Sequence, residues 1–225
     1  MNREACVIMF VRSPEKGAVK TRLSAVLDEY AVLELYRRFV LDLLHTLSRG
    51  AFDVHICFYP PDAGEAIRQW LGGRYVYLAQ KGDDLGQRLE AAFLKAFGDG
   101  FRKVVIIGSD SPDLPGELLR EALDCLDKED AVIGPALDGG YYLIGFRAGR
   151  LLQEIFVGIE WGAPTVYAST MGTFTEHCYD VHVLPGWRDI DTYEDIRAFM
   201  REHHETPSGQ LLTLDYLRTH KETVL

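Results

Sequence analysis

Seven short apolar runs set the main constraint on what this chain can fold into. They are residues 5–11, 53–59, 75–79, 103–108, 131–136, 141–146 and 180–185. Most are almost continuously apolar, which is the pattern of strands buried on both faces. Helical stripes lie between most of them. Leu27, Tyr30, Ala31, Leu35, Phe39, Leu43 and Leu47 recur at three- and four-residue steps, and Leu85, Leu89, Ala92, Phe93 and Phe97 do the same. Leu118, Leu119, Ala122 and Leu126 make a third stripe. Alternating strands and helices imply an α/β fold with three layers, α/β/α, around a mostly parallel mixed sheet. After residue 131 the alternation breaks: runs 131–136 and 141–146 are joined by Leu137-Asp138-Gly139-Gly140 with no helix between, so antiparallel or edge pairing is expected there. No linker or repeat divides the 225 residues, and a single domain is expected.

Charge and cysteine usage narrow the function. The 34 acidic residues exceed the 24 basic ones, for a net charge of −10, which argues against a nucleic-acid partner. The four cysteines have no zinc spacing and read as free thiols, consistent with a reducing cytoplasm. No signal-peptide pattern or membrane-length apolar run is present, so a cytoplasmic location and no membrane span are expected.

In open parallel sheets, ligands gather at the carboxyl ends of the strands. The segment after the first strand holds Arg12, Lys16, Lys20 and Arg22, four cations within eleven residues of an acidic chain, with Pro14 and Gly17 marking a turn. Such a loop can cradle phosphate through Gly17, the Lys20 ammonium and the Arg22 fork, at the start of a helix near Leu23; a solvated basic loop is the plain alternative. After the fourth strand comes Gly108-Ser-Asp-Ser-Pro-Asp-Leu-Pro115. Asp113 or Ser111 would suffice to cap the next helix, which leaves Asp110 for a hard cation with substrate phosphates. In Asp189-Ile-Asp-Thr-Tyr-Glu-Asp-Ile196, Thr192 and Asp195 fit a capping box, while Asp189 and Asp191 precede it and either could be a second metal ligand. Asp138 fits a turn, since Asp-Gly is a favoured turn pair. The seven histidines show no metal spacing.

The segments 12–23, 80–89, 108–115, 134–146 and 189–196 resemble the nucleotide-diphospho-sugar transferase superfamily, with its GT-A type fold. More narrowly, the chain resembles a bacterial family of GT-A-like transferases of uncharacterised function, related to the molybdenum-cofactor and phospholactate guanylyltransferases. The resemblance implies one GT-A-like domain over 1–225, with a nucleotide-binding half (1–130) and an acceptor-side half (131–225). It implies that Arg12, Gly17, Lys20, Arg22, Gln80, Gly82 and Asp84 bind the nucleotide, and that Asp110 and Asp191 hold Mg²⁺ or Mn²⁺. Lys20, Arg22 and Asp110 would be catalytic. Asp138, Gly139, Gly140, Tyr141, Trp161 and Thr165 would face the acceptor. The expected activity is metal-dependent nucleotidyl transfer from a nucleoside triphosphate to a phosphorylated or acidic small molecule. A glycosyltransferase using a nucleotide-sugar and a non-catalytic nucleotide-binding domain are the alternatives. The cationic loop is Gly-poor for a sugar nucleotidyltransferase, and the acids appear as Asp-Ser-Pro-Asp rather than the Asp-x-Asp of many glycosyltransferases.

Overall fold

A computed structural model describes residues 3–15, 17, 19–50 and 52–220. Lys16, the fourth cation of the loop, lies outside the described residues. All seven apolar runs form strands: β1 (Arg3–Arg12), β2 (Asp53–Tyr59), β3 (Val76–Ala79), β4 (Phe101–Ile107), β5 (Ala131–Pro135), β6 (Tyr141–Arg147) and β7 (Val181–Val183). They make one sheet in the order β3-β2-β1-β4-β6-β5-β7. β1 pairs in parallel with β2 and β4, β2 with β3, and β5 with β7. β6 runs antiparallel to both neighbours, so the irregularity after residue 131 is one reversed strand inside the sheet rather than at its edge.

Helices cover both faces. α1 (Glu29–Ser48), α2 (Gly64–Leu71), α4 (Gly116–Cys125), α6 (Tyr193–Glu202) and α7 (Leu212–Thr219) pack on one side, and α3 (Leu85–Gly98) and α5 (Val166–Glu176) on the other. The pleat of β1 divides its side chains between the two cores: Val7, Met9 and Val11 face α1, while Cys6 and Ile8 face α3. Phe39 on α1 and Phe93 on α3 are both fully buried, and truncating either to alanine is expected to cost about 3–5 kcal/mol. The last helix is tied down by a charge. Asp42, buried within α1, accepts hydrogen bonds from the backbone N–H of Leu212 (2.8 Å) and Thr213 (2.9 Å) and so caps α7 from outside.

Several local expectations change. The helix expected near Leu23 is a single 3₁₀ turn, Leu23–Ala25. Neither Ser111 nor Asp113 caps α4. Its N-cap position is Pro115, without a side-chain bond. Asp113 instead accepts from the Trp187 indole (3.1 Å) and pairs with His203 (2.8 Å). Ser111 donates to Asp189 (2.5 Å). Thr192 and Asp195 do form the expected capping box of α6. Among the described residues no helix is long and apolar enough to cross a membrane.

Candidate active site

The chain runs from β1 outward to β2 and β3 on one side, then returns to place β4 on the other side of β1. Loops leaving β1 and β4 therefore diverge, and a crevice opens at their carboxyl ends. A cavity of about 790 Å³ lies there. Of the residues the sequence singled out, it collects Arg12, Lys20 and Arg22 after β1, Gln80 and Asp84 after β3, Asp110 after β4, Asp191 before α6, and Tyr141 and Trp161.

The two acids meet although 81 residues separate them. Beyond β7 the chain follows the edge of β5, with Leu184 N–H donating to the Ile133 carbonyl (2.9 Å) and Trp187 N–H to that of Pro135 (3.0 Å). The Ile190 N–H then donates to the Asp110 carbonyl (2.9 Å), which sets Asp189 and Asp191 beside Asp110. Between them lies Lys20, whose Nζ is 2.7 Å from Oδ1 of Asp110 and 2.7 Å from Oδ1 of Asp191. The lysine side chain is 4% exposed, while the carboxylates remain 40% and 35% exposed. Burial works against its charge, but the two carboxylates outweigh that and its pKa is raised. Lys20 also has φ 49, a left-handed conformation uncommon for a residue with a side chain.

Asp189 sits differently. It bonds to Ser111, and burial, reinforced by the Asp110 charge, pushes its carboxyl up to about 7. Below the site, the Tyr36 hydroxyl joins the two strand ends. It accepts from the Arg12 N–H (2.9 Å) and lies 3.2 Å from Ser109 Oγ. Burial, with the Asp110 charge next, pushes this phenol up to about 12.

Among the described residues no three His, Cys, Asp or Glu side chains form a metal site by themselves. The donors present are carboxylate oxygens, and two of them already converge on one positive group. Hard oxygen donors suit Mg²⁺ or Mn²⁺, which take their remaining ligands from phosphate and water. The residues fit such an ion: Asp110 and Asp191 would hold it, with Asp189 beside them.

The far wall is aromatic and cationic. The Arg88 guanidinium lies 4.1 Å from the centre of the Tyr59 ring and Arg12 lies 5.6 Å from it. Arg88 Nε also donates to the Gly82 carbonyl (3.0 Å). Gln80 is buried and donates to the Cys57 carbonyl (2.9 Å), and Asp84 caps α3. Tyr141 meets Trp161 edge to face at 6.3 Å. Gly86 permits that wall: a Cβ there would sit 2.5 Å from the Phe156 carbonyl oxygen and 3.0 Å from the Trp161 ring. The Tyr141 hydroxyl is buried with no hydrogen-bond partner among the described residues, and burial raises its pKa.

Other expected site residues lie outside the cavity wall. Gly17 is exposed in a left-handed turn (φ 72), and Gly82 is exposed, its carbonyl accepting from Arg88. Asp138 is exposed, and its carboxylate accepts from the Gly140 N–H (2.9 Å), as a turn residue does. Gly139 packs against Pro164, where a Cβ would be 2.1 Å from the carbonyl oxygen, and accepts from the Tyr167 N–H (2.9 Å). Thr165 occupies the exposed N-cap position of α5. The 138–140 turn thus supports the segment bearing Trp161 rather than forming the cavity wall. Sequence reasoning missed three residues of the cavity wall, Tyr36, Asp83 and Arg88, and the Tyr59 ring on which Arg88 packs. Tyr59 and Arg88 stand at a strand's carboxyl end and in a helix's first turn, positions that were open to inspection.

The chain matches, over residues 42–163, the family described as an uncharacterized protein conserved in bacteria (DUF2064). The chain belongs to that family. A solved relative from Desulfovibrio desulfuricans G20, named as a "putative nucleotide-diphospho-sugar transferase", is 42% identical, with 99% of this chain and 97% of that one covered at a TM-score of 0.94. A cytidylyltransferase from Leptospira borgpetersenii serovar Hardjo-bovis (strain JB197) shares the fold at 16% identity and TM-score 0.59, over 98% of this chain and 95% of that one. The Rv0371c protein of Mycobacterium tuberculosis H37Rv, solved in complex with manganese, does so at 15% identity and 0.55, over 89% and 100%. No curated protein matches the chain. The expected α/β fold of nucleotide-diphospho-sugar transferase type therefore holds.

Proposed function

We propose that this DUF2064 protein is a metal-dependent transferase that moves a nucleotidyl group from a nucleoside triphosphate to a phosphorylated or acidic small molecule. The observation that carries this reading is the meeting of Asp110 and Asp191 on Lys20 at the mouth of a crevice that also holds Arg12 and Arg22. The cytidylyltransferase name of one fold neighbour and the manganese in another agree with it. A divalent ion on Asp110 and Asp191 would neutralise phosphate oxygens and make the α-phosphorus more open to attack.

The chain's own residues supply the rest. Arg12 and Arg22 offer planar forks to the outer phosphates and stabilise the charge that builds as pyrophosphate departs. Gln80 and Arg88, the latter packed on the Tyr59 ring, line the side where the nucleoside would lie. Tyr141 and Trp161 form the wall for the acceptor, and the orphaned Tyr141 hydroxyl donates to an oxygen there. An acceptor phosphate is already ionised, so attack needs no protein base: its oxygen bonds to the α-phosphorus as the bridging bond to the β-phosphate breaks. Residues 1–130 would thus hold the nucleotide and 131–225 the acceptor.

One observation favours a second reading, glycosyl transfer from a nucleotide-sugar. A hydroxyl acceptor requires a general base, and Asp189, a carboxyl in the cavity wall beside the metal holders, is placed for that role. Asp138 is not part of the cavity wall. The test is to mix protein and Mg²⁺ with each triphosphate or nucleotide-sugar and a panel of phosphorylated, acidic and hydroxylic acceptors. Pyrophosphate release supports nucleotidyl transfer, nucleoside diphosphate release supports glycosyl transfer, and no metal-dependent binding of either donor class sinks both.

A further inference from the structure

We propose that Lys20 makes this site selective for a divalent ion already chelated by nucleotide phosphates, over the bare ion. The inference rests on the metal–nucleotide reading of the same site. It assigns Lys20 a role other than direct phosphate binding.

Three observations support it. First, the ammonium is shared between the two carboxylates at equal distances of 2.7 Å, so an anionic pair that would attract a bare cation is already half neutralised. Second, Lys20 is fixed at both ends. Its carbonyl accepts from the N–H groups of Leu23 (2.9 Å) and Ser24 (3.2 Å), its φ is held at 49, and its Nζ lies 5.6 Å from the centre of the buried Phe39 ring. A residue in a rarely populated backbone conformation stays there only when its surroundings hold it. Third, the side chain is 4% exposed, beneath acids that are 40% and 35% exposed, so it reaches them from inside the protein and the cavity side of the acids stays open.

A bare divalent ion approaching from the cavity would share its carboxylates with a fixed positive charge. An ion that arrives with phosphates carries negative charge of its own, and the Lys20 and arginine charges then attract the complex. Lys20 is therefore a positioning and selecting residue for the pair of acids, while Arg12 and Arg22 meet the phosphates.

Titration of Mn²⁺ followed by electron paramagnetic resonance, without and then with a nucleoside triphosphate, tests this. Wild-type protein should bind bare Mn²⁺ weakly and take it up with nucleotide. Lys20→Met should bind bare Mn²⁺ at least about tenfold more tightly. Lys20→Arg, which keeps the charge, should return towards the wild-type value. Should Lys20→Met not fold, the neutral Lys20→Gln is read in the same titration, and Asp191→Asn should weaken uptake in either background. Equal bare-ion affinity in the wild type and the neutral variant, or tight bare-ion binding by the wild type, overturns the Lys20 inference while leaving the functional reading in place. Failure of every triphosphate to recruit Mn²⁺ to the wild type overturns both.

Discussion

Two clusters of three charges stand at opposite ends of the same sheet, with opposite signs at their centres. At the carboxyl end of the parallel strands, Lys20 lies between Asp110 and Asp191. At the other end, Asp130 lies between Arg147 and Arg150 (2.6 Å to the latter) and accepts a further bond from the Asp180 N–H. In each the central group is buried, at 4% and 5% exposed, and its partners are half-exposed. The surroundings differ. Asp130 closes a corner between β5, β6 and the turn at Arg150, with both oxygens engaged. Burial opposes its charge, but the arginine hydrogen bonds dominate and hold its pKa below the ordinary value. The Lys20 cluster borders a cavity of about 790 Å³, with a neighbouring carboxyl raised to about 7. Charge clustering alone says little about function; position at the switch point and an open side towards a cavity distinguish the two.

The sharpest way to separate them is to remove an acid from each. Asp110→Asn should lower turnover by roughly 10²–10³-fold, read as product formation at saturating metal, with little loss of folding stability. Asp130→Ala should do the reverse. It should cost about 2–3 kcal/mol in urea denaturation, because the buried corner loses its hydrogen bonds, and leave turnover per folded molecule unchanged. If Asp130→Ala abolished turnover in folded protein, the distinction would fail.

Why one cluster was readable in the sequence and the other was not follows from chain geometry. Asp110 and Asp191 stand out in the sequence because Asp110 directly follows an apolar strand and Asp191 precedes a helix whose capping box, Thr192 and Asp195, is complete without it. Asp130 has no such signature, since its partners come from the next strand and the turn after it. The strands were legible because β1, β4 and β6 each hold an unbroken buried stretch, Cys6–Met9, Val104–Ile107 and Tyr142–Phe146, which writes a continuous apolar run. α2 and α5 were not. α2 buries only Ile67 and Leu71, and α5 only Val166, Thr170 and Phe174, the middle one polar. Expected caps at Ser111 and Asp113 failed because tertiary partners, Asp189, Trp187 and His203, compete for the same side chains. The Arg88–Tyr59 stack joins residues from different elements and has no local pattern.

A smaller effect tests the acceptor wall against the corner at Asp130. The Tyr141 hydroxyl has no partner among the described residues, so Tyr141→Phe should leave the unfolding midpoint unchanged and raise the KM for one substrate about five- to tenfold. A stability loss with unchanged KM would assign it to the core instead.

The smallest effect is in pH. Asp189 is raised to about 7, so the folded protein keeps a proton that the unfolded chain releases near pH 4. Across that window the folded state binds more protons, and stability must fall as pH rises from about 4 to about 7. In metal-free protein Asp189→Asn should flatten that slope by about 1 kcal/mol, measured as unfolding free energy at pH 6 and pH 7. Asp130, whose pKa is lowered, acts with the opposite sign: its contribution is present above the ordinary carboxylate range and is lost as pH falls through its folded value.

The central claim is that Asp110 and Asp191 act together on a metal-bound nucleotide. Calorimetric titration of the four nucleoside triphosphates, with and without Mg²⁺, into the wild type and Asp191→Asn tests it most directly. The account predicts that at least one triphosphate binds the wild type only with Mg²⁺ and that Asp191→Asn loses that binding while remaining folded. Binding that ignores both the metal and Asp191, or no triphosphate binding at all, would contradict it.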